Sequence, residues 1–156
     1  MSPEEIRKHK GVSFVGVTAS FFCHDGSGSF YLARRSENAR DEQGTWDPGG
    51  GGLKIGETVE AAVRREVKEE YGADACSIEF LGYDDAFRKL KDGTPTHWLA
   101  MRFAVLVDPA EVSICEPEAL VEGGWFTLDT LPTPLHSMFP KFLKKYQKQL
   151  KKILGS

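Results

Sequence analysis

Four consecutive glycines, Gly49 to Gly52, constrain this chain more than any other feature. Glycine loses more backbone freedom on ordering than any other residue, so such a run does not belong inside a helix or a regular strand. Shortly after it stand Thr58, a helix-capping residue, and a segment rich in Glu, Ala, Arg and Lys that reaches Tyr71, with Gly72 placed to stop it. The predicted order is a loop of bare backbone leading directly into a helix. Apolar runs flank that unit. Val12 to Phe22 and the run from Phe30 read as two strands joined at Asp25-Gly26-Ser27-Gly28, and Ile78 to Phe87 and Thr96 to Val107 as two more joined around Lys91-Asp92-Gly93. Gly124 to Thr127 reads as a short last strand and Phe139 to Ile153 as a closing helix. Strands on both sides of a central helix predict a mixed sheet covered by helices on two faces, an α/β (α+β) fold. With 40% hydrophobic residues in 156, the chain closes one core, and residues 1–156 are read as a single domain.

The central helix has an unusual face. At about 100° per residue, Val59, Ala62, Val63, Val67 and Tyr71 share one arc, its packed side. Glu66 and Glu70 lie on the same line as Val59 and Val63, with Glu69 at the edge, while Ala61, Arg64, Arg65 and Lys68 fall outside. Carboxylates spaced i, i+3 and i+4 beside a packed surface repel one another, and each needs a proton or a nearby positive charge. Taken alone, the helix is equally compatible with a solvated acidic face laced by ion pairs. The glycine loop favours a cation, because it turns backbone carbonyls toward the same place. Carboxylates and carbonyls form an oxygen-only donor set, which suits Mg²⁺ or Mn²⁺ rather than zinc.

The residues Gly51-x5-Glu57-x7-Arg65-Glu66-Val67-x-Glu69-Glu70-x-Gly72-Ala73 match all the fixed positions of the Nudix box, and the chain resembles the Nudix hydrolase family. The resemblance implies an α/β/α sandwich whose loop-helix-loop carries a divalent metal. It implies that Glu66, Glu69 and Glu70 bind that metal, with one of them or a residue outside the box helping to activate the attacking water, and that Arg65 orients a glutamate. The Gly50 carbonyl would complete the coordination, and Gly51 and Glu57 would support the loop. Glu116, in Glu116-Pro117 ahead of the last strand, matches a further glutamate that some nucleoside triphosphate hydrolases of the family supply, or is an exposed loop acid. Lys54 stands where the family commonly has an acid.

The substrate class follows from the same resemblance, as hydrolysis of a phosphoanhydride bond in a nucleoside diphosphate derivative. The proline and tyrosine that mark many ADP-ribose and dinucleoside polyphosphate hydrolases beyond the box are absent from Arg88 to Lys91. Glu116-Pro117 followed by Trp125-Phe126 looks instead like the MutT-like group, which converts (deoxy)nucleoside triphosphates, ordinary or oxidised, to monophosphate and pyrophosphate. ADP-ribose, dinucleoside polyphosphates and other nucleotide conjugates stay open, as does a nucleotide-sensing module without turnover. Arg34 and Arg35 end the second strand, either to hold phosphates or as surface residues. Phe87, Trp98 and Phe139 either stack on a base or pack in the core. His97 and His136, beside apolar or aromatic residues, read as structural. Cys23, Cys76 and Cys115, without CxxC spacing, read as small buried apolar residues of a cytoplasmic protein. A net charge of −3 lacks the excess that broad nucleic-acid binding needs and does not identify the partner, which the resemblance implies is a nucleotide. The closing helix sets Phe142, Tyr146, Leu150 and Ile153 against a lysine face that is either solvated or docks a polyanion. No run is apolar enough to span a membrane, and members of the family commonly pair as homodimers.

Overall fold

The computed structural model describes residues 1–155. A first helix, α1 (Pro3–His9), starts from a capping box between Ser2 and Glu5. There follow β1 (Gly16–His24), β2 (Phe30–Arg35), β3 (Trp46–Asp47), β4 (Gly50–Gly52), α2 (Val59–Tyr71), β5 (Ser77–Lys89), β6 (Pro95–Leu106), β7 (Leu120–Phe126), α3 (Met138–Lys145) and α4 (Gln147–Leu154). The strands form one seven-stranded sheet in the order β3-β2-β1-β6-β5, with β4 also beside β1 and β7 beside β2. β1 runs parallel to β6 from Gly16 opposite Trp98 to His24 opposite Leu106, and the other pairs are antiparallel. The sheet is therefore mixed.

Each face of the sheet buries its own cluster, because successive strand residues point to opposite sides. Ala19, Phe21 and Cys23 of β1 pack with Ala62, Val63, Val67 and Tyr71 of α2. Phe22, with Leu32 and Ala104, packs instead against Phe139, Phe142, Tyr146 and Leu150. The result is a three-layer α/β/α sandwich. α2 forms because Thr58 caps it through the Ala61 N–H and because its apolar residues recur at helical spacing. It stops at Gly72, whose left-handed φ of 71° favours glycine.

Several boundaries differ from the sequence reading. Val12 to Val15 lie before β1, in a turn where the His9 carbonyl accepts from the Val12 and Ser13 N–H groups. The last strand is longer than expected and begins at Leu120. Gly123 and Gly124 disguise it, yet Gly123 is needed there, since a Cβ would overlap the Tyr31 hydroxyl. The closing helix divides at Tyr146, whose backbone leaves the helical region at φ −102° and ψ 19°. Apolar residues at i, i+4 and i+8 run straight through the division, which is why the sequence reads as one helix. Of the three cysteines, Cys23 is buried, but Cys76 and Cys115 are exposed and correct the expectation that all three pack in the core. Burial and, after it, the charge of Glu70 push the Cys23 thiol far up, so it is inert as a nucleophile.

One hydrogen bond ties the sheet core to the glycine run. Tyr71, fully buried at the end of α2, donates its hydroxyl to the Pro48 carbonyl at 2.5 Å. Replacing Tyr71 by Phe leaves that carbonyl without its partner and is expected to lower the unfolding free energy by about 1–3 kcal/mol, read from urea denaturation. An unchanged midpoint would show that the bond does not hold the loop.

Candidate active site

The site is built where β4 meets the end of α2. The Phe21 N–H donates to the Gly49 carbonyl and the Leu53 N–H to the Val17 carbonyl, so Gly50 and Gly52 occupy the alternate positions of the β1–β4 ladder. At those positions the amide and carbonyl point away from β1. The Gly52 carbonyl accepts from Arg65 Nη2 at 3.3 Å, and the Gly50 N–H is directed to the Glu70 carboxyl. The Gly50 carbonyl faces the same way. Gly51 leaves room for the Glu66 carboxyl, which a Cβ there would overlap and displace. The glycine run therefore lets three consecutive backbone units approach the helix glutamates.

Arg65 organises those glutamates. Its Nη2 and Nε donate to the two oxygens of Glu57 at 2.6 and 3.0 Å, and its Nη1 donates to Glu66 Oε1 at 2.7 Å and Glu69 Oε2 at 3.3 Å. The hydrogen bonds from Arg65, with that of the Lys54 backbone, hold Glu57 well below the usual carboxylate range, at about 2. Glu57 thus clamps the loop to the helix through a bidentate pair. Glu69 remains nearly half exposed at the rim.

Glu70 is different. It is 8% exposed, and its Oε2 is buried without any hydrogen-bond partner. Burial first, then the charges of Glu66, Asp47 and Glu116, push its carboxyl well above the ordinary value, against a smaller opposing effect of the Gly50 amide. Glu116 reaches this group because the loop before β7 is stitched to the helix end. The Ser113 N–H donates to the Tyr71 carbonyl at 3.0 Å and the Cys115 N–H to the Glu70 carbonyl at 2.9 Å. Partial burial and the neighbouring Glu66 and Glu69 raise the Glu116 carboxyl in turn. Four carboxylates, Glu66, Glu70, Glu116 and Asp47, thus share one corner with the Gly50 carbonyl.

This donor set fits a hard divalent cation: all oxygen, negatively charged in excess, and holding an orphaned buried carboxylate atom. No three acidic, histidine or cysteine side chains among the described residues already close into a metal-binding cage. Arg65 instead occupies the oxygens of Glu66 and Glu69 that face it.

A cleft of about 210 Å³ opens beside this corner, on the face of the sheet that carries α3. Its lining includes Ser20, Arg35, Asp47, Gly49, Gly50, Arg88, Trp98, Arg102, His136 and Phe139. Arg35 and Trp98 are therefore brought to the cleft. Arg34 and Phe87 are not: Arg34 points to the opposite side of β2 and pairs with Glu122 of β7 at 2.8 Å, and Phe87 is 70% exposed and rests on His97. The sequence reading missed Asp47, Ser20, Arg88 and Arg102. Only Asp47 carried a local signal, by standing just before the glycines. His136 is buried, accepts from the Met138 N–H at Nδ1, and places Nε2 3.0 Å from Glu42 and 2.6 Å from Arg88. Burial lowers its affinity for a proton, so it lines the cleft as a neutral ring.

The family profile for the NUDIX domain matches residues 15–146. The chain belongs to the NUDIX domain family. It is 29% identical to the MutT NUDIX hydrolase of Burkholderia pseudomallei, whose crystal structure superimposes with a TM-score of 0.73 over 84% of this chain and 97% of that one. Among curated relatives, the murine 8-oxo-dGDP phosphatase NUDT18 is 30% identical over 85% of this chain and 38% of its own length. The NAD-capped RNA hydrolase NudC of Citrobacter koseri is 29% identical over 62% of this chain and 35% of its own. The chain thus spans little more than a third of these two relatives. The NUDIX match covers both the box and the strands that form the cleft. No helix among the described residues is long and apolar enough to cross a membrane.

The raised Glu70 carboxyl has a testable cost. Below the ordinary carboxylate value of 4.5 it is protonated in folded and unfolded chains alike, whereas above that value only the unfolded chain ionises freely, and the folded state loses stability. In EDTA, Glu70→Gln should therefore melt with the wild type at pH 4 and progressively above it as the pH rises to 7. Added Mg²⁺ should stabilise the wild type and not the variant. A variant less stable than the wild type at pH 7 in EDTA would contradict this electrostatic picture.

Proposed function

We propose that this NUDIX protein is a divalent-metal-dependent hydrolase that cleaves a phosphoanhydride bond in a nucleoside diphosphate derivative. The preferred substrate is a (deoxy)nucleoside triphosphate, ordinary or oxidised, released as monophosphate and pyrophosphate. The observation that carries the reading is the buried Glu70 carboxyl, crowded by Glu66, Glu116 and Asp47, at the mouth of a cleft lined by arginines. Glu66, Glu69, Glu70, Glu116 and the Gly50 carbonyl would hold the metal. When bound, Mg²⁺ or Mn²⁺ supplies positive charge that neutralises the diphosphate and acidifies water.

The chain's own residues do the rest. Arg65 holds Glu66 and Glu69 in place beside Glu70, and Glu57 in turn fixes the orientation of Arg65. Gly51 lets Glu66 lie flat against the loop. Half-buried Trp98 offers aromatic surface to a base, whereas Phe139 is 2% exposed and packs in the core, and Arg35 stands at the same wall as Asp47. Placement of Glu116 beside the helix glutamates supports the triphosphate class, and likeness to an 8-oxo-dGDP phosphatase supports the inclusion of oxidised nucleotides. In this reading Cys23, Cys76 and Cys115 take no part, since attack by water needs no covalent intermediate.

The test is phosphate and pyrophosphate release from nucleoside triphosphates, 8-oxo-dGTP, 8-oxo-dGDP, ADP-ribose and dinucleoside polyphosphates, with Mg²⁺, Mn²⁺ or EDTA. Turnover should require metal, favour triphosphates, and fall in Glu70→Gln by more than about 100-fold, the upper effect of disturbing residues that merely support metal ligands. Tight nucleotide binding without turnover in the wild type would overturn the enzyme reading in favour of a sensing module.

A further inference from the structure

Three arginines line the cleft, but their electrostatic surroundings are not equivalent. Arg35 pairs with Asp41 at 3.0 Å and Asp47 at 3.5 Å, and Arg88 with Asp41 at 3.3 Å and Glu42 at 3.6 Å. With His136 neutral, that wall holds three carboxylates against two guanidinium groups, so its positive charge is spent internally. Arg102 sits in the opposite balance. Its Nε donates to Asp84 Oδ2 at 3.0 Å, and the same carboxylate receives Lys145 Nζ at 2.6 Å and the Tyr146 hydroxyl at 3.0 Å. Two cations therefore share one anion, and the group keeps a surplus positive charge. Burial alone would raise the Asp84 carboxyl, but Lys145, Arg102 and Tyr146 together hold it below its ordinary value, so it stays ionised.

The same contacts fix where Arg102 points. Its side chain is 12% exposed, lies 5.7 Å from the Phe142 ring centroid, and donates from Nη1 to Ser20 Oγ at 3.0 Å. Nη2 has no hydrogen-bond partner among the described residues. Ser20 is the register partner of Arg102 on one side and of Gly50 on the other. Two strand spacings thus separate the Arg102 backbone from Gly50, about 10 Å, and the guanidinium lies over the strand between them. An anion extending from the carboxylate corner into the cleft meets a preset, incompletely used guanidinium, the group whose planar fork matches phosphate oxygens.

We propose that Arg102 anchors a phosphate of the nucleotide in the cleft, and that Asp84, reached by Lys145 of α3 and by Tyr146 just after it, is its positioning residue. This rests on the hydrolase reading above for the identity of the ligand. The closing helices thereby act on substrate affinity from outside the cleft, through one carboxylate.

The experiment is steady-state kinetics on the best-turned-over triphosphate, with calorimetric binding of its α,β-methylene analogue in Mg²⁺. Arg102→Met should raise KM and the analogue's Kd by about 10-fold to 100-fold, the value of a hydrogen bond to a charged group, with kcat within about threefold. Arg102→Lys should not restore affinity, because a point charge lacks the fork. Asp84→Asn should raise KM with kcat little changed. Lys145→Met, at an exposed position that leaves the fold intact, should do so too by removing the surplus charge. KM and Kd within twofold of wild type in Arg102→Met, or losses in kcat that track a loss of melting temperature, would overturn the proposal. If wild-type turnover is present and dependent on Glu70 while Arg102→Met binds normally, this inference alone fails. If the wild type turns over nothing, the hydrolase reading fails, and the analogue's affinity still decides the role of Arg102.

Discussion

Arg65 is the constraint on which the site depends. A single guanidinium reaches Glu57, Glu66, Glu69 and the Gly52 carbonyl, and so ties the loop before α2 to one turn of the helix itself. The pairs with Glu57 and Glu66 are mostly shielded from solvent, at 21% exposure for Arg65 against 17% and 13%. They are therefore less screened than surface ion pairs, whose contribution is usually small. A lysine at this position would keep the charge and lose the geometry, because one ammonium cannot face a carboxylate with two parallel donors and still reach a second. The loop has no side chains of its own with which to hold shape. Its form is imposed by the helix through Arg65, by Tyr71 through Pro48, and by β1 through the ladder.

That frame has a gap. Arg65 partners Glu57, Glu66 and Glu69 but does not reach Glu70, which lies one turn beyond Glu66 and deeper. Three carboxylates are satisfied within the protein and the fourth is left with an orphaned oxygen. A structure selected for stability alone would fill this position with an apolar side chain, as Val63 and Val67 do on the same arc. The placement of a carboxyl there, with the charges of Glu116 and Asp47 beside it, is costly in the folded protein unless it keeps a proton or a positive group completes the corner.

The two halves of the site were unequally legible in the sequence. The helix half is local: capping residue, apolar spacing, glutamate line and glycine loop lie within some thirty consecutive residues, and helical geometry converts their spacing directly into a face. The cleft half is assembled from β1, β2, β3, β4, β5, β6, His136 and α3, segments far apart in the sequence. In a strand, neighbours point to opposite sides, so choosing between Arg34 and Arg35, or between Ala86 and Phe87, requires knowing which face carries the cleft. Phe87 pairs with His97 on one face and Ala86 with Trp98 on the other, and the large aromatic in β5 is on the wrong one. A β-bulge between Arg34 and Arg35 in the pairing with β7 separates those two further. Composition could not reveal Arg102 either. Its distinction comes from a carboxylate eighteen residues earlier and a lysine at the end of α3.

The sheet therefore separates charge. On the α2 side, Glu70 and its neighbours concentrate negative charge at the helix end, and on the α3 side the cluster of Arg102 and Lys145 around Asp84 keeps a local surplus of positive charge. The two fields meet only at the open edge of β4, where the glycine run lets backbone stand in for side chain. A phosphate chain entering at that edge is drawn by Arg102 and repelled by the bare carboxylates. Such a ligand and a cation are thus complementary occupants, each removing the other's electrostatic penalty. This coupling would favour a nucleotide and a metal occupying the corner together, and it follows from the charge of the two clusters rather than from any single residue.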